Sequence, residues 1–238
     1  MSSWGASRYR AIGVYIGGAN MACAQPNLSS AWVTRQSASG WHVIPIYVGL
    51  QAPFNSCGCA AIASGSAAAQ GVAAARDAVV QAQALGLGAG NPVYYDMEGY
   101  DQSSTVRSVV LTFLASWTSQ LHAEGYKSGV YSSAASGIRD LARQAGTGYG
   151  EPDDIWIANW NGTASTVDAT VPSSDWPTHQ RLHQYSGAHN ETYGGTTINI
   201  DRDYVDAATA AAGTVTTSAA AGPALSVAPV ADGSIDLY

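Results

Sequence analysis

Lysine is almost absent: Lys127 is the single one in 238 residues, and all basic residues together number ten against seventeen acids, a net charge of −7. So few cations build no basic patch, which excludes nucleic acid and anionic membrane surfaces as partners on charge grounds. Apolar runs stay short, and none reaches the roughly 18 residues of a membrane-spanning helix. The first ten residues carry no apolar stretch of the kind a signal peptide needs. Cysteine is scarce too, at Cys23, Cys57 and Cys59. Cys57-Gly-Cys59 is too close for a relaxed pairing and lacks the C-x-x-C spacing of redox or zinc sites. A bridge from Cys23 to Cys57 or to Cys59 suits an exported protein, and three small buried thiols are the other reading. Among the five histidines none shows H-E-x-x-H spacing, so no metal site and no cofactor are expected.

What is present is material for a core. Hydrophobic residues make up 46% of the chain, enough for one large domain. Seven short apolar runs read as strands: Ala11–Ile16, Val43–Val48, Val93–Met97, Ser128–Tyr131, Ile155–Asn159, Arg181–Tyr185 and Thr197–Asp201. Between them, helical patterns run near Asn27–Ser39, Ser66–Leu85, Thr105–Glu124 and Ala134–Gln144. In the third helix, Val106, Val109, Val110, Phe113, Leu114, Trp117 and Leu121 form a core-facing stripe. Strand–helix alternation predicts an α/β fold with a parallel sheet, either open or closed into a TIM-like (β/α)8 barrel. The barrel domain is expected over residues 1–206. Residues 207–238 turn to Ala, Thr, Ser and Pro and read as a low-complexity tail or linker.

Tyr94-Tyr-Asp96-Met-Glu98 is the segment with the most chemistry in it. Strand side chains two apart share a face, so Asp96 and Glu98 sit together at a strand's C-terminal end. Like charges at close range push their pKa values apart, which suits acid/base work. Function in parallel α/β folds gathers at that end of the strands. The other strand ends supply Tyr47, Tyr131, Asn159, Trp160, Gln184, Tyr185 and Asp201, and Tyr100 follows Glu98. Three carboxylates ringed by aromatics suit a carbohydrate, because rings stack on sugars and carboxyls cleave glycosidic bonds.

Gly13-Val-Tyr-Ile-Gly-Gly18, Ile44-Pro-Ile-Tyr-Val-Gly-Leu-Gln51, Tyr94–Glu98, Gly129-Val-Tyr-Ser-Ser133, Asp154-Ile-Trp-Ile-Ala-Asn-Trp160, His183-Gln-Tyr-Ser186 and Asn199-Ile-Asp201 follow in order along the chain. As an ordered set they resemble the DUF1906 family, the glycoside hydrolase-like domain of actinobacterial secreted proteins, related in fold to GH25 lysozymes. The resemblance implies a TIM-like barrel with Asp96, Glu98 and Asp201 as catalytic acids. It makes Glu98 the general acid, and Asp96 the nucleophile or the stabiliser of a cationic intermediate. Tyr47, Tyr100, Tyr131, Asn159, Trp160, Gln184 and Tyr185 become substrate-binding residues. The implied substrate is peptidoglycan or a related cell-wall polysaccharide, handled by a secreted or wall-associated monomer. A non-catalytic glycan-binding or scaffold domain on the same barrel is the alternative. The family pattern opens with a strand of the form Gly-Phe-Asp-x-Cys, which residues 1–10 do not supply. A truncated or mis-started reading frame is the first expectation, which would also account for the lack of a signal peptide. The second has Gly233–Tyr238 taking the first strand's place, with Asp236 at the rim.

Overall fold

A computed structural model of the chain describes residues 1–210, Ala212 and, for the backbone, 222–226. Its strands are β1 (Ala11–Gly17), β2 (His42–Tyr47), β3 (Pro92–Met97), β4 (Lys127–Ser133), β5 (Asp154–Ala158), β6 (Arg181–Tyr193), β7 (Thr196–Asp206) and β8 (Gly222–Ser226). They pair in chain order, and β1 to β6 run parallel to one another. β7 is antiparallel to both β6 and β8, and β8 runs parallel to β1. The sheet is a TIM-like barrel whose closure is slight, because β8 meets β1 through the single register pair Ile12 and Leu225. A strand therefore occupies the gap beside β1, but it is drawn from Gly222–Ser226, inside the segment read as tail. Gly233–Tyr238, with Asp236, lies outside the described residues.

Helices α1 (Ser30–Ala38), α2 (Ala67–Ala84), α3 (Ser104–Ala123) and α4 (Gly137–Ala142) fall where the sequence periodicity places them. Ser29 and Ser103 cap α1 and α3, each accepting from a backbone N–H three residues on. The predicted stripe of α3 is buried throughout. After β6 the chain returns at once through Gly194–Gly195, both at positive φ, the conformation a tight hairpin turn demands.

Strand phase divides the side chains into two sets. Ala11, Ile44, Ile46, Val48, Tyr94, Trp156, Leu182 and Val205 pack together inside the barrel. The alternate residues, such as Val93, Tyr95, Met97, Val130, Ile155 and Ile157, join the larger core beneath the helices. Inside, Tyr94 and Tyr131 both meet the Trp156 ring edge-on, with centroids 5.9 and 5.4 Å away. Trp156 Nε1 donates to Asp203 Oδ1 at 2.7 Å, and Tyr94 Oη donates to the Ala208 carbonyl at 2.8 Å. The floor below the site is thus filled with interlocked aromatics.

Gly129 makes room for them. A Cβ there would lie 2.2 Å from Cδ1 of Tyr94, a ring with no free direction to move. Gly129→Ala is expected to lower stability by about 1–3 kcal/mol, read as a lower urea midpoint at unchanged slope. An unchanged midpoint would contradict this packing.

Candidate active site

Above the Trp156 layer the barrel mouth opens into a cavity of about 630 Å³, within the roughly 300–1,000 Å³ of small-ligand sites. Strand phase delivers its wall: Ile46 and Val48 from β2 and its end, Asp96 and Glu98 from β3 and its end, Tyr131 from β4, Gln184 from β6 and Asp201 from β7. Trp160, two residues past the end of β5, keeps the inward phase of Trp156 and closes one side.

Asp96 is 5% exposed, and its Oδ1 is buried without a hydrogen-bond partner. Glu98, one residue past β3, is exposed at the cavity. The two carboxyls share the inward phase at the end of β3 and interact closely enough for each to shift the other. Burial, then the Glu98 charge, raises Asp96 well above the usual carboxylate range. Burial raises Glu98 as well, and donors from the Gly99 N–H and Asp96 restrain that rise. Asp96, the more deeply buried of the two, is therefore the member that favours the protonated form.

Gln51 holds this pair in place. Its side chain, 1% exposed, donates from Nε2 to the Asp96 carbonyl at 2.8 Å and accepts at Oε1 from the Glu98 N–H at 2.8 Å. The backbone between the two acids is clamped from both ends. Opposite, Gln184 organises a second group. Its Oε1 accepts from Tyr131 Oη at 3.1 Å and Trp160 Nε1 at 2.9 Å, while its Nε2 donates to Asp201 Oδ2 at 3.1 Å. These donors orient the amide so that it presents N–H to the carboxylate. Burial and then the charges of Glu98, Asp96, Asp203 and Asp201 raise the Tyr131 hydroxyl far above its ordinary value, so it remains a donor.

Of the sequence-predicted residues, the cavity gathers Asp96, Glu98, Asp201, Tyr131, Trp160 and Gln184. Tyr47, Asn159 and Tyr185 do not line it, because each is one residue out of inward phase. Tyr47 lies between the barrel and the helices, packed on Tyr95 and Trp117 and bonded to Asp77 at 2.7 Å. Asn159 donates to Asp168 at 2.6 Å, and Tyr185 is buried beside His183. Tyr100 bonds Asp140 at 3.0 Å and lines a neighbouring cavity instead. Sequence reasoning gave no role to Gln51, Asn20, Tyr15 or Trp156, which also line the site. Strand phase could have found Tyr15 and Trp156; a loop glutamine carries no such signal.

The cysteines also differ from expectation. Cys57 bonds to Cys59 and not to Cys23. Gly58 at φ +67° turns the chain and brings the two Cα atoms to 5.2 Å, within the range a disulfide accepts. Both cysteines sit on the cavity's edge. Among the described residues no cluster of three or more His, Cys, Asp or Glu could hold a metal ion, and no helix is long and apolar enough to cross a membrane.

The model of the Rv2525c-like, glycoside hydrolase-like domain family matches residues 2–205. The chain belongs to this family. Among solved structures, the Tat-secreted protein Rv2525c of Mycobacterium tuberculosis, in complex with L-tartrate, is 17% identical. That match covers 86% of this chain and 88% of the mycobacterial one at a TM-score of 0.60. The modular autolysin LytC of Streptococcus pneumoniae is 11% identical at a TM-score of 0.50, over 82% of this chain and 41% of its own. At these identities the two show a shared fold. No curated protein sequence matches the chain.

The buried acid pair has a consequence for stability. Folded Asp96 keeps a proton that the unfolded chain releases near its ordinary value of about 3.9. The wild-type contribution is therefore full below that pH and falls as pH rises toward the raised folded value. Asp96→Asn has nothing to titrate there. Its melting temperature relative to wild type is expected to climb from pH 4 toward neutrality, measured by calorimetry across pH. A pH-independent difference would mean that the pair ionises normally.

Proposed function

We propose that this domain cleaves a glycan of N-acetylated sugars, the bacterial cell wall being the natural source, with Glu98 as the general acid. The observation that carries this reading is the pair of carboxyls, Asp96 and Glu98, brought together at the end of β3 in an aromatic-walled cavity. Family membership and the fold in common with a pneumococcal autolysin point the same way.

Carboxyl spacing supports an assignment of roles. Paired carboxyls that flank a scissile bond stand about 5–5.5 Å apart in retaining enzymes and about 6.5–9.5 Å apart in inverting ones. Asp96 and Glu98 stand two residues apart on one face at the end of β3, so they act on one side of the bond and not as acid and nucleophile across it. Glu98 is the member that reaches the open cavity. As the glycosidic bond lengthens, the proton passes from Asp96 to Glu98 and Glu98 delivers its proton to the leaving oxygen. Asp96, now ionised, accepts the N–H of the sugar's acetamido group. The acetamido oxygen attacks the anomeric carbon as the leaving group departs. Water then opens that intermediate with Glu98 as base, giving net retention. Asp201, fixed by Gln184, faces the positive charge that builds on the ring. Trp160 and Tyr131 hold the sugar faces.

One observation favours a second reading, a glycan-binding domain that does not cut. The strand beside β1, Gly222-Pro-Ala-Leu-Ser226, contains no acid. Digestion of purified cell walls separates the two. Wild type is expected to release soluble fragments, and Glu98→Gln to do so about 10²–10⁴-fold more slowly. Full release by Glu98→Gln would remove Glu98 from the chemistry. Fragment binding without release by wild type would establish the binding domain.

A further inference from the structure

A second cavity, of about 450 Å³, adjoins the first. The two share Asn55, Ser56 and Gly99 as wall residues. Gly99 directly follows Glu98, so the acid stands where the cavities meet. The second cavity is lined by two aromatic side chains, Phe54 and Tyr100.

Phe54 is unusual in both exposure and backbone. It is 89% exposed, and its φ is +59°, a conformation that a bulky side chain adopts at a cost. Single exposed apolar residues are ordinary, but their distribution here is not. Among the described residues the exposed large hydrophobics are Phe54, Val80, Trp160 and Val167. The two aromatic ones both border these cavities, Trp160 the first and Phe54 the second. The Phe54 loop is also fastened. Asn55 Nδ2 donates to the Ala52 carbonyl at 3.0 Å and the Cys59 carbonyl at 3.1 Å, and Asn55 Oδ1 accepts from the Cys59 N–H at 2.9 Å. The Cys57–Cys59 disulfide closes the same loop. A rigid, solvent-facing aromatic surface loses little conformational entropy when a ligand stacks on it.

We infer that the two cavities form one groove for a glycan chain of several sugars, with Trp160 stacking a sugar on one side of Glu98 and Phe54 a sugar on the other. Either cavity alone falls within the size of a small-ligand site, and together they fit an oligomer. The inference rests on the glycan reading of the first cavity. It adds that the domain engages the interior of a chain and that Phe54 sets the preference for length.

Binding of peptide-free glycan strands of alternating N-acetylglucosamine and N-acetylmuramic acid tests it by calorimetry, with disaccharide and octasaccharide as probes. All proteins carry Glu98→Gln so that nothing is cut. The octasaccharide is expected to bind at least tenfold more tightly than the disaccharide. Phe54→Ala is expected to lose about tenfold for the octasaccharide and nothing for the disaccharide. Phe54→Trp is expected to bind as the parent does. Phe54→Gly, which suits the positive φ, separates loss of the ring from loss of the loop and is expected to match Phe54→Ala. If Phe54→Ala and Phe54→Gly bind the octasaccharide as the parent does while Trp160→Ala weakens both probes, the groove is overturned and the glycan site stands. If the parent binds neither probe, both readings fall.

Discussion

Asp96 is carried into the barrel mouth by the same strand phase that packs Tyr94 beneath it, and there it meets Glu98. The burial of Asp96 and the nearness of Glu98 disfavour a second negative charge on the pair in the resting state. Much of the surrounding structure serves that restriction. Gln51 clamps the backbone on both sides of Met97, so the carboxyls cannot separate by a local shift of the chain. The aromatic floor of Tyr94, Tyr131 and Trp156 keeps water from the inner face, and Asp203 is occupied by Trp156 instead of adding another free charge. A raised carboxyl is not itself a mark of function. Asp154 is raised to about 7 by burial at the opposite end of the barrel and does not line this cavity. What distinguishes Asp96 is that its partner carboxyl faces a space large enough for a substrate.

The barrel's ends divide the labour. Strands β1 to β6 advance in parallel and bring their C-terminal ends to one rim, while the antiparallel β6–β7 hairpin returns the chain through the same wall. Asp201 thereby reaches the rim from a strand running the other way. Gln184 on β6 and Asp201 on β7 are neighbours in this hairpin, which is why one amide can link Tyr131, Trp160 and the third acid.

Strands β1 to β7 were legible because their apolar runs are short, β-branched and bounded by turns, and α3 because its stripe repeats at helical spacing. The strand that completes the barrel was not. Gly222-Pro-Ala-Leu-Ser226 has neither alternation nor β-branched residues, and only pairing with β7 makes it a strand. The acid pair was legible because a two-residue spacing on a strand has one meaning. Tyr47, Asn159 and Tyr185 were misplaced for the complementary reason. A residue's position near a strand end does not reveal which face it takes until the inward set is known. Gln51 and the Cys57–Cys59 bridge depend on loop turns, which leave no periodic trace in the sequence.

The chemistry of the acid pair depends on where its proton resides. Carboxyl carbon NMR of protein labelled at Asp and Glu side chains, titrated with pH and assigned through Asp96→Asn and Glu98→Gln, measures this. The Asp96 signal is predicted to remain that of a protonated acid well above the ordinary carboxylate range, and to change when Glu98 is replaced. If both carboxyls titrate independently near about 4, no proton is shared and the acid assigned to Glu98 has no source.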